Sequence, residues 1–297
     1  MVFHGNRAGC DADHAYAVRR QLDGQLQGEG DDPLLLPTGP TARIRGMSDW
    51  SVLQWFLLAA GAFVTGLSKT GIAGLGILAV ALFANAMPAR ESTGALLPLL
   101  VLADLFGIAI FRKHGDWRHV WRLFPWVAGG VVLGYATMGC AGETPIRRLI
   151  GGILLAMVGL HLWRQRAMAR DPDGFAARLP HTAAFAGFTG ILAGFTTMVA
   201  NAAGPVMVLY LLARGLPKLA FLGTMAWFFF LVNLFKLPFS WHLGLIGLPS
   251  LILDAKLALA LLPGVALGPV LVGRLNQKTF EWMVLALTGV AAVRLVL

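Results

Sequence analysis

The sequence predicts an all-α polytopic membrane protein with about eight to ten membrane segments, in two repeats that each contain a short broken helix pair. Three observations support this fold class: the composition, a close succession of apolar runs and an internal duplication. Of the 297 residues, 57% are hydrophobic and only 13% are charged, whereas a soluble domain carries roughly 25% charged residues. So little polar surface cannot cover the chain in water, and lipid must therefore supply part of its solvent.

Residues 1–46 differ in character from the rest of the chain. They are polar and rich in Gly, and no apolar stripe of helical period runs through them. Such a composition is typical of disorder, and a misassigned extension with Met47 as the true start explains it equally well. Residues 47–297 would then form the transmembrane domain.

Apolar runs follow one another closely from Trp50 to the C-terminus. About 20 apolar residues are needed to span the hydrocarbon core, and most of the runs approach or reach that length. Two of them, 71–87 and 203–213, are short and are flanked or interrupted by Gly and Pro. The runs are 50–67, 71–87, 92–111, 120–139, 146–164, 181–200, 203–213, 219–236, 251–273 and 279–297.

The second half of the chain repeats the first, with repeat 1 at about 50–164 and repeat 2 at about 181–297. A constant offset of 129 aligns Gly and Pro residues, which coincide by chance less readily than Leu or Ala in so apolar a chain. It also aligns the triplet Asp-Leu-Phe with Asn-Leu-Phe. The aligned pairs are Gly61 with Gly190, Pro88 with Pro217, Gly94 with Gly223 and Asp104 with Asn233.

The formal net charge of +9 comes from basic residues in short gaps between apolar runs. This placement is typical of cytoplasmic loops and argues against nucleic acid as a partner. With five segments per repeat the second repeat is inverted, so the basic gaps share one side, and the gap 237–250, without Lys or Arg, lies on the other. The basic gaps hold Arg112, Lys113, Arg118, Arg122, Arg164, Arg166, Arg170, Arg178, Arg214, Lys218, Arg274 and Lys278.

Two Gly-rich or Pro-containing stretches at matching places in the repeats, 66–76 and 196–205, predict a binding site for an anion. Broken helices in inverted repeats are typical of transporter sites, and the N-terminus of a half-helix favours an anion. The alternative is that these small residues serve only close helix packing. The candidate binding residues are Ser68, Lys69, Thr70, Gly71, Gly74, Thr197, Asn201 and Gly204.

Three polar residues inside apolar runs form a second group of candidates. Lys69 and Lys236 would attract an anion or, alternatively, extend to the headgroup region as ordinary interfacial lysines. Asp104 would pair with one of these lysines, carry a coupling proton or bond a helix end. Asn233, its counterpart in the second repeat, would share that coupling or structural role.

Enzyme signatures are weak in this chain. The seven His are scattered, there is no His-Glu-x-x-His pair, and the stretch 61–70 has the wrong spacing for a phosphate loop. Cys10 and Cys140 form neither a ligand cluster nor a disulfide framework. We therefore expect no catalysis, no metal and no cofactor.

Four motifs together resemble the sulfite exporter TauE/SafE family. They are GLSKTGIAGLG at 66–76, PARESTG at 88–94, ANAAGP at 200–205 and WFFFLVNLFKLP at 227–238. The resemblance runs from about Met47 to the C-terminus, and Asn201-Ala-Ala-Gly-Pro205 is less Gly-rich than the first-half motif, so the two half-sites need not be equivalent.

The resemblance implies a multi-pass transporter of the bacterial inner membrane that exports a small anion, often a sulfur-containing one such as sulfite or an organosulfonate. The expected partners are the lipid bilayer and the anionic solute, and assembly into a homo-oligomer is left open. The alternatives are an anion channel and a membrane scaffold subunit that transports nothing itself.

Overall fold

The computed structural model describes residues 50–70, 75–274 and 277–297, and these form helices without any strand. The all-α class is thereby confirmed. Residues 1–46, predicted to be disordered or misassigned, lie outside the described residues, as do Gly71 and Gly74. The helices are α1 (Val52–Thr70), α2 (Gly76–Ala86), α3 (Ala89–Phe111), α4 (Trp117–Cys140), α5 (Glu143–Arg170), α6 (Pro172–Arg178), α7 (Ala183–Ala200), α8 (Gly204–Ala213), α9 (Lys218–His242), α10 (Leu248–Arg274) and α11 (Gln277–Val296).

Seven helices within the described ranges are long and apolar enough to cross a membrane: α1, α3, α4, α5, α7, α9 and α10. The short runs of the sequence become α2 and α8, of 11 and 10 residues. At 1.5 Å per residue each is about 15 Å long, half of a hydrocarbon core of about 30 Å. The chain is therefore a multi-pass membrane protein with two apolar helices that are too short to span the hydrocarbon core.

Local sequence explains where the helices begin and end, and in two places the structure differs from the predicted runs. The run 219–236 ends before Pro238, but α9 continues through that proline to His242, as membrane helices often do because neighbouring helices satisfy the freed backbone groups. The basic gap after α5 contains the short helix α6, which starts because the Asp171 carboxylate accepts a hydrogen bond from the Gly174 N–H and Pro172 occupies the first turn.

The main helix pairs relate the two halves to each other. Helix α1 packs along α10, α4 along α7, α3 along α9 and α5 along α11. The counterparts of α1, α3, α4 and α5 in the second repeat are α7, α9, α10 and α11. Replacing each helix by its counterpart turns the pair α1–α10 into α7–α4 and the reverse, and it leaves the pairs α3–α9 and α5–α11 unchanged. This symmetric pairing is what the duplication predicts, and the inverted orientation of the second repeat stays a prediction.

Glycine brings the paired helices α4 and α7 into backbone contact. A Cβ atom at Gly130 would lie 2.8 Å from the Phe195 backbone nitrogen and still closer to the Ile191 carbonyl oxygen. The neighbouring Gly129 has nothing within 4 Å of the same position. Two adjacent glycines of α4 therefore face different surroundings.

We expect Gly130→Ala to destabilise the protein by about 1–3 kcal/mol, because the added methyl group forces α4 and α7 apart. Gly129→Ala should leave stability unchanged or raise it slightly, since alanine has the higher helix propensity. Thermal unfolding in detergent compares the two variants. Equal melting temperatures for them would contradict the close contact of α4 with α7.

Candidate functional site

The two helix interruptions meet at one internal cavity of about 110 Å³. From the first interruption it is lined by Ser68, Lys69 and Thr70 at the end of α1 and by Gly76 at the start of α2. The second interruption contributes the end of α7 and the start of α8. Binding pockets for drug-sized ligands measure roughly 300–1,000 Å³, so this cavity suits a small solute. Of the residues predicted from sequence, Ser68, Lys69, Thr70, Asp104, Thr197, Asn201, Gly204 and Asn233 line it.

The second interruption follows from the sequence Asn-Ala-Ala-Gly-Pro at 201–205. Asn201 takes a left-handed conformation with φ of 49°, which ends α7, and its N–H donates to the Thr197 carbonyl at 3.0 Å. Gly204 and Pro205 then open α8, with the proline in the first turn, where no backbone N–H is required. One helix stops and another begins within four residues, so the first N–H groups of α8 have no partner inside that helix.

Lys69 pairs with Asp104 across the cavity. The Lys69 Nζ lies 2.7 Å from Asp104 Oδ1, and the two side chains are 15% and 1% exposed. The contact is an ion pair without the angles of a good hydrogen bond. The ammonium also lies 4.2 Å from the centroid of the Phe229 ring, a cation–π arrangement. Lys69 therefore points into the protein rather than to the lipid headgroups.

Asp104 continues into a second polar chain on α9. Its Oδ2 accepts a hydrogen bond of 2.7 Å from the Asn233 amide nitrogen, and the Asn233 amide oxygen accepts one of 3.1 Å from Lys236. The Lys236 ammonium also donates to Asn201 Oδ1 at 2.6 Å and to Thr197 Oγ1 at 3.1 Å. Asn233 thus stands between the carboxylate and the second lysine, and both lysines belong to one continuous network.

The contact between Asp104 and Asn233 joins residues at equivalent positions of the two repeats, 129 positions apart. If a twofold axis relates the repeats, it passes close to this hydrogen bond, between the packed helices α3 and α9. Both residues line the cavity, which therefore lies at this junction of the two halves.

Asn201 connects the second interruption to the first repeat. Its side-chain nitrogen donates to the Thr93 carbonyl on α3 at 2.9 Å, while its oxygen accepts from Lys236. The amide thus contacts α3 and α9 at once and fixes the left-handed turn between them. The sequence predicted Asn201 as a ligand donor, and the structure adds this bridging contact.

Ser68 and Thr70 line the cavity, but their hydroxyl hydrogens are engaged elsewhere. The Ser68 hydroxyl donates to the Thr65 carbonyl at 2.9 Å. The Thr70 hydroxyl donates to backbone carbonyls, that of Gly66 at 3.0 Å or that of Val265 on α10 at 3.1 Å. In this arrangement both hydroxyls offer oxygen lone pairs to the cavity, so a role as donors to an anion requires them to rotate.

Donors to an anion are available at the two half-helix starts. Gly76 opens α2 and Gly204 opens α8, and both line the cavity. The first N–H groups of a helix have no partner inside the helix, and the helix dipole makes this end positive. Two such ends at one cavity, beside Lys69, make the site suited to a negative charge.

One wall of the cavity is apolar and was not predicted from the sequence. Met225 and Phe229 on α9 line it together with Asn233. These three positions are four residues apart, so they share one face of the helix. That spacing was the available signal, because it places Phe229 directly beside the one polar residue of the triplet Asn-Leu-Phe. The remaining apolar lining residues include Leu100, Phe111, Phe221 and Leu222.

Comparison with known proteins supports the resemblance seen in the motifs. The family model described as Sulfite exporter TauE/SafE matches residues 57–295. Comparison with curated proteins and with solved structures finds no match. The matched region contains both helix interruptions and the residues that line the cavity. Of the seven described helices long enough to cross a membrane, it contains six whole and α1 from Leu57 onward. The chain therefore belongs to the sulfite exporter TauE/SafE family of membrane transporters.

Proposed function

We propose that the protein is a secondary transporter that carries a small anion through the cavity between its two helix interruptions. The observation that carries this proposal is the convergence of Lys69, the Lys236 network and two helix N-termini on one small cavity. Positive groups that outnumber the carboxylates attract an anion, and the low-dielectric surroundings strengthen that attraction.

The reach of the cavity supports a carrier rather than an open channel. On α3 its lining runs from Leu100 to Phe111, in the last turn, and on α9 from Asn233 back to Phe221, in the first turn. Both of these helix ends adjoin the basic gaps, which the charge bias assigns to the cytoplasm. Beyond Asn233, the hydrogen bonds from Asn201 to Thr93 and from Lys236 to Asn201 connect α3 with α9 and close that end of the cavity. Access from one side at a time is the requirement for alternating access.

The membrane, the direction of transport and the substrate class are proposed from the family, and the binding residues are proposed from the site. Export across the bacterial inner membrane, and a sulfur-containing substrate such as sulfite or an organosulfonate, extend the family's description to this chain. The chain would act without a cofactor and without catalysis, with the bilayer and the anion as its partners. Binding at Ser68, Lys69, Thr70, Thr197, Asn201 and Gly204 belongs to the same proposal, and Gly71 and Gly74 join it from the segment between α1 and α2.

Counterflow in proteoliposomes tests this function. Vesicles loaded with unlabelled anion should accumulate labelled anion from outside transiently, and the flux should saturate with concentration, because a carrier exchanges its ligand. Sulfite, isethionate, sulfoacetate, chloride and acetate form the panel, and vesicles without protein give the baseline. A flux that rises linearly without counterflow would identify a channel, and no flux above baseline for any anion would favour the scaffold alternative.

A further inference from the structure

Three charged side chains stand at the junction of the two repeats, and their charges do not cancel. Lys69 and Asp104 form an ion pair, whereas the three oxygen atoms around Lys236 Nζ belong to Thr197, Asn201 and Asn233, which are neutral. An ammonium group has three N–H donors and no acceptor, so three oxygen partners fit its charged form. Lys236 is only 1% exposed, and its charge is therefore held inside the protein without a carboxylate in contact.

The rest of the cavity wall supplies no compensating charge. Helices α2, α7 and α8 contain no Asp, Glu, Lys or Arg, and neither does the segment Gly-Ile-Ala-Gly at 71–74. Asp254 on α10 lies about 21 Å along the helix axis from Gly268, which packs against Thr70. Arg112 and Lys113, beyond the end of α3, are exposed. Arg90 and Glu91, in the first turn of α3, are opposite in charge and lie about 20 Å along the helix axis from Asp104. The two lysines and the one aspartate thus set the charge of the site.

We propose that the empty site carries one net positive charge and takes up a monoanion, so that the loaded site is neutral and the empty site is the charged form that crosses the membrane field. This inference rests on the proposed function and specifies the charge of its substrate. A dianion would leave the loaded site with a negative charge buried at the junction of the repeats, which is costly in a low-dielectric interior.

A positively charged empty site also allows the membrane potential to drive export without a coupling ion. In a cell that is negative inside, a loaded neutral site reorients without opposition from the potential. After the anion leaves on the outside, the empty positive site is drawn back toward the cytoplasm. The membrane potential therefore acts on the return step, and each cycle moves one negative charge outward.

Voltage measurements on the wild-type protein separate these steps. Isethionate, a sulfonate monoanion, is loaded at equal saturating concentrations on both sides, and exchange of labelled for unlabelled anion is followed with and without an inside-negative potential of about 100 mV. We expect exchange to be unaffected, because only the neutral form moves. Net efflux into anion-free medium should accelerate up to about sevenfold per 100 mV for a symmetrical barrier. Exchange that varies with voltage as strongly as net efflux would overturn the proposal.

A charge substitution gives an independent readout. Asp104→Asn keeps the shape of the side chain and raises the charge of the empty site to two. The ratio of sulfoacetate flux to isethionate flux, a dianion against a monoanion of similar size, should rise at least about tenfold. Asp171→Asn, the same change at an exposed residue paired with Arg178, should leave the ratio unchanged. An unchanged ratio in an active, folded Asp104→Asn protein would contradict the proposal.

The two failures are distinguishable. If neither exchange nor net efflux of any anion exceeds the vesicle baseline, the proposed transport function is wrong. If exchange is robust but sensitive to voltage, transport stands and only the assignment of charge fails. Should Asp104→Asn not fold, the wild-type comparison of exchange with net efflux decides alone.

Discussion

Lys69→Met is expected to reduce anion flux at least about tenfold, because it removes the cation closest to the cavity and leaves the Asp104 carboxylate facing an incoming anion. A unit charge at about 4 Å contributes on the order of 4 kcal/mol at an effective dielectric constant of 20, and each 1.4 kcal/mol is tenfold in affinity. Counterflow of labelled isethionate measures the effect. Lys256→Met, a change at an exposed lysine on α10 near Trp55, is the matched control and should retain full flux.

A double substitution distinguishes binding from charge balance. Lys69→Met combined with Asp104→Asn removes both members of the ion pair and leaves Lys236 as the single charge of the site. If Lys69 contacts the anion, flux stays low in the double variant, although the unpaired carboxylate is gone. Recovery to wild-type flux would show that Lys69 only neutralises Asp104 and would remove it from the binding residues.

The sequence was sufficient to predict the helical fold and to pick out most of the polar residues that line the cavity. Composition and the length of the apolar runs indicate a membrane protein, because each segment must by itself be long and apolar enough to cross the lipid. The interruption at 201–205 was readable because the turn preferences of Asn, Gly and Pro are local. The aligned Asp104 and Asn233 were found by the offset between the repeats, and the structure places them in direct contact.

The side-chain partners were beyond the sequence because they depend on how each helix is rotated about its axis. In a soluble helix the apolar stripe fixes that rotation, but α2 and α8 are apolar on all sides, so their pattern does not indicate which face meets the cavity. For Lys69, on α1, the sequence did not decide whether the side chain extends to the headgroups or pairs with Asp104. It also gave no sign that the Thr70 hydroxyl would bond a carbonyl of α10, 195 positions away.

Asp104→Leu is expected to lower the melting temperature by roughly 6–12 °C, from a loss of about 3 kcal/mol. Removing the carboxylate leaves the Lys69 ammonium and the Asn233 amide nitrogen without their shared partner at a site that is almost fully buried. A lone buried charge is far more costly than either the intact pair or a well-packed apolar replacement. Thermal unfolding in detergent, followed by size-exclusion chromatography of the heated protein, measures the change.

Lys69→Met added to Asp104→Leu should recover most of that loss, because the orphaned charge disappears and two apolar side chains of similar length fill the space beside Phe229. The recovery distinguishes a buried ion pair from two independent contributions, for which the losses would add. Asp171→Leu, which breaks the surface pair with Arg178 and removes the N-cap of α6, should cost only about 1–2 kcal/mol. A double variant less stable than Asp104→Leu would mean that the two side chains do not depend on each other, and the charged network at the junction of the repeats would then be described wrongly.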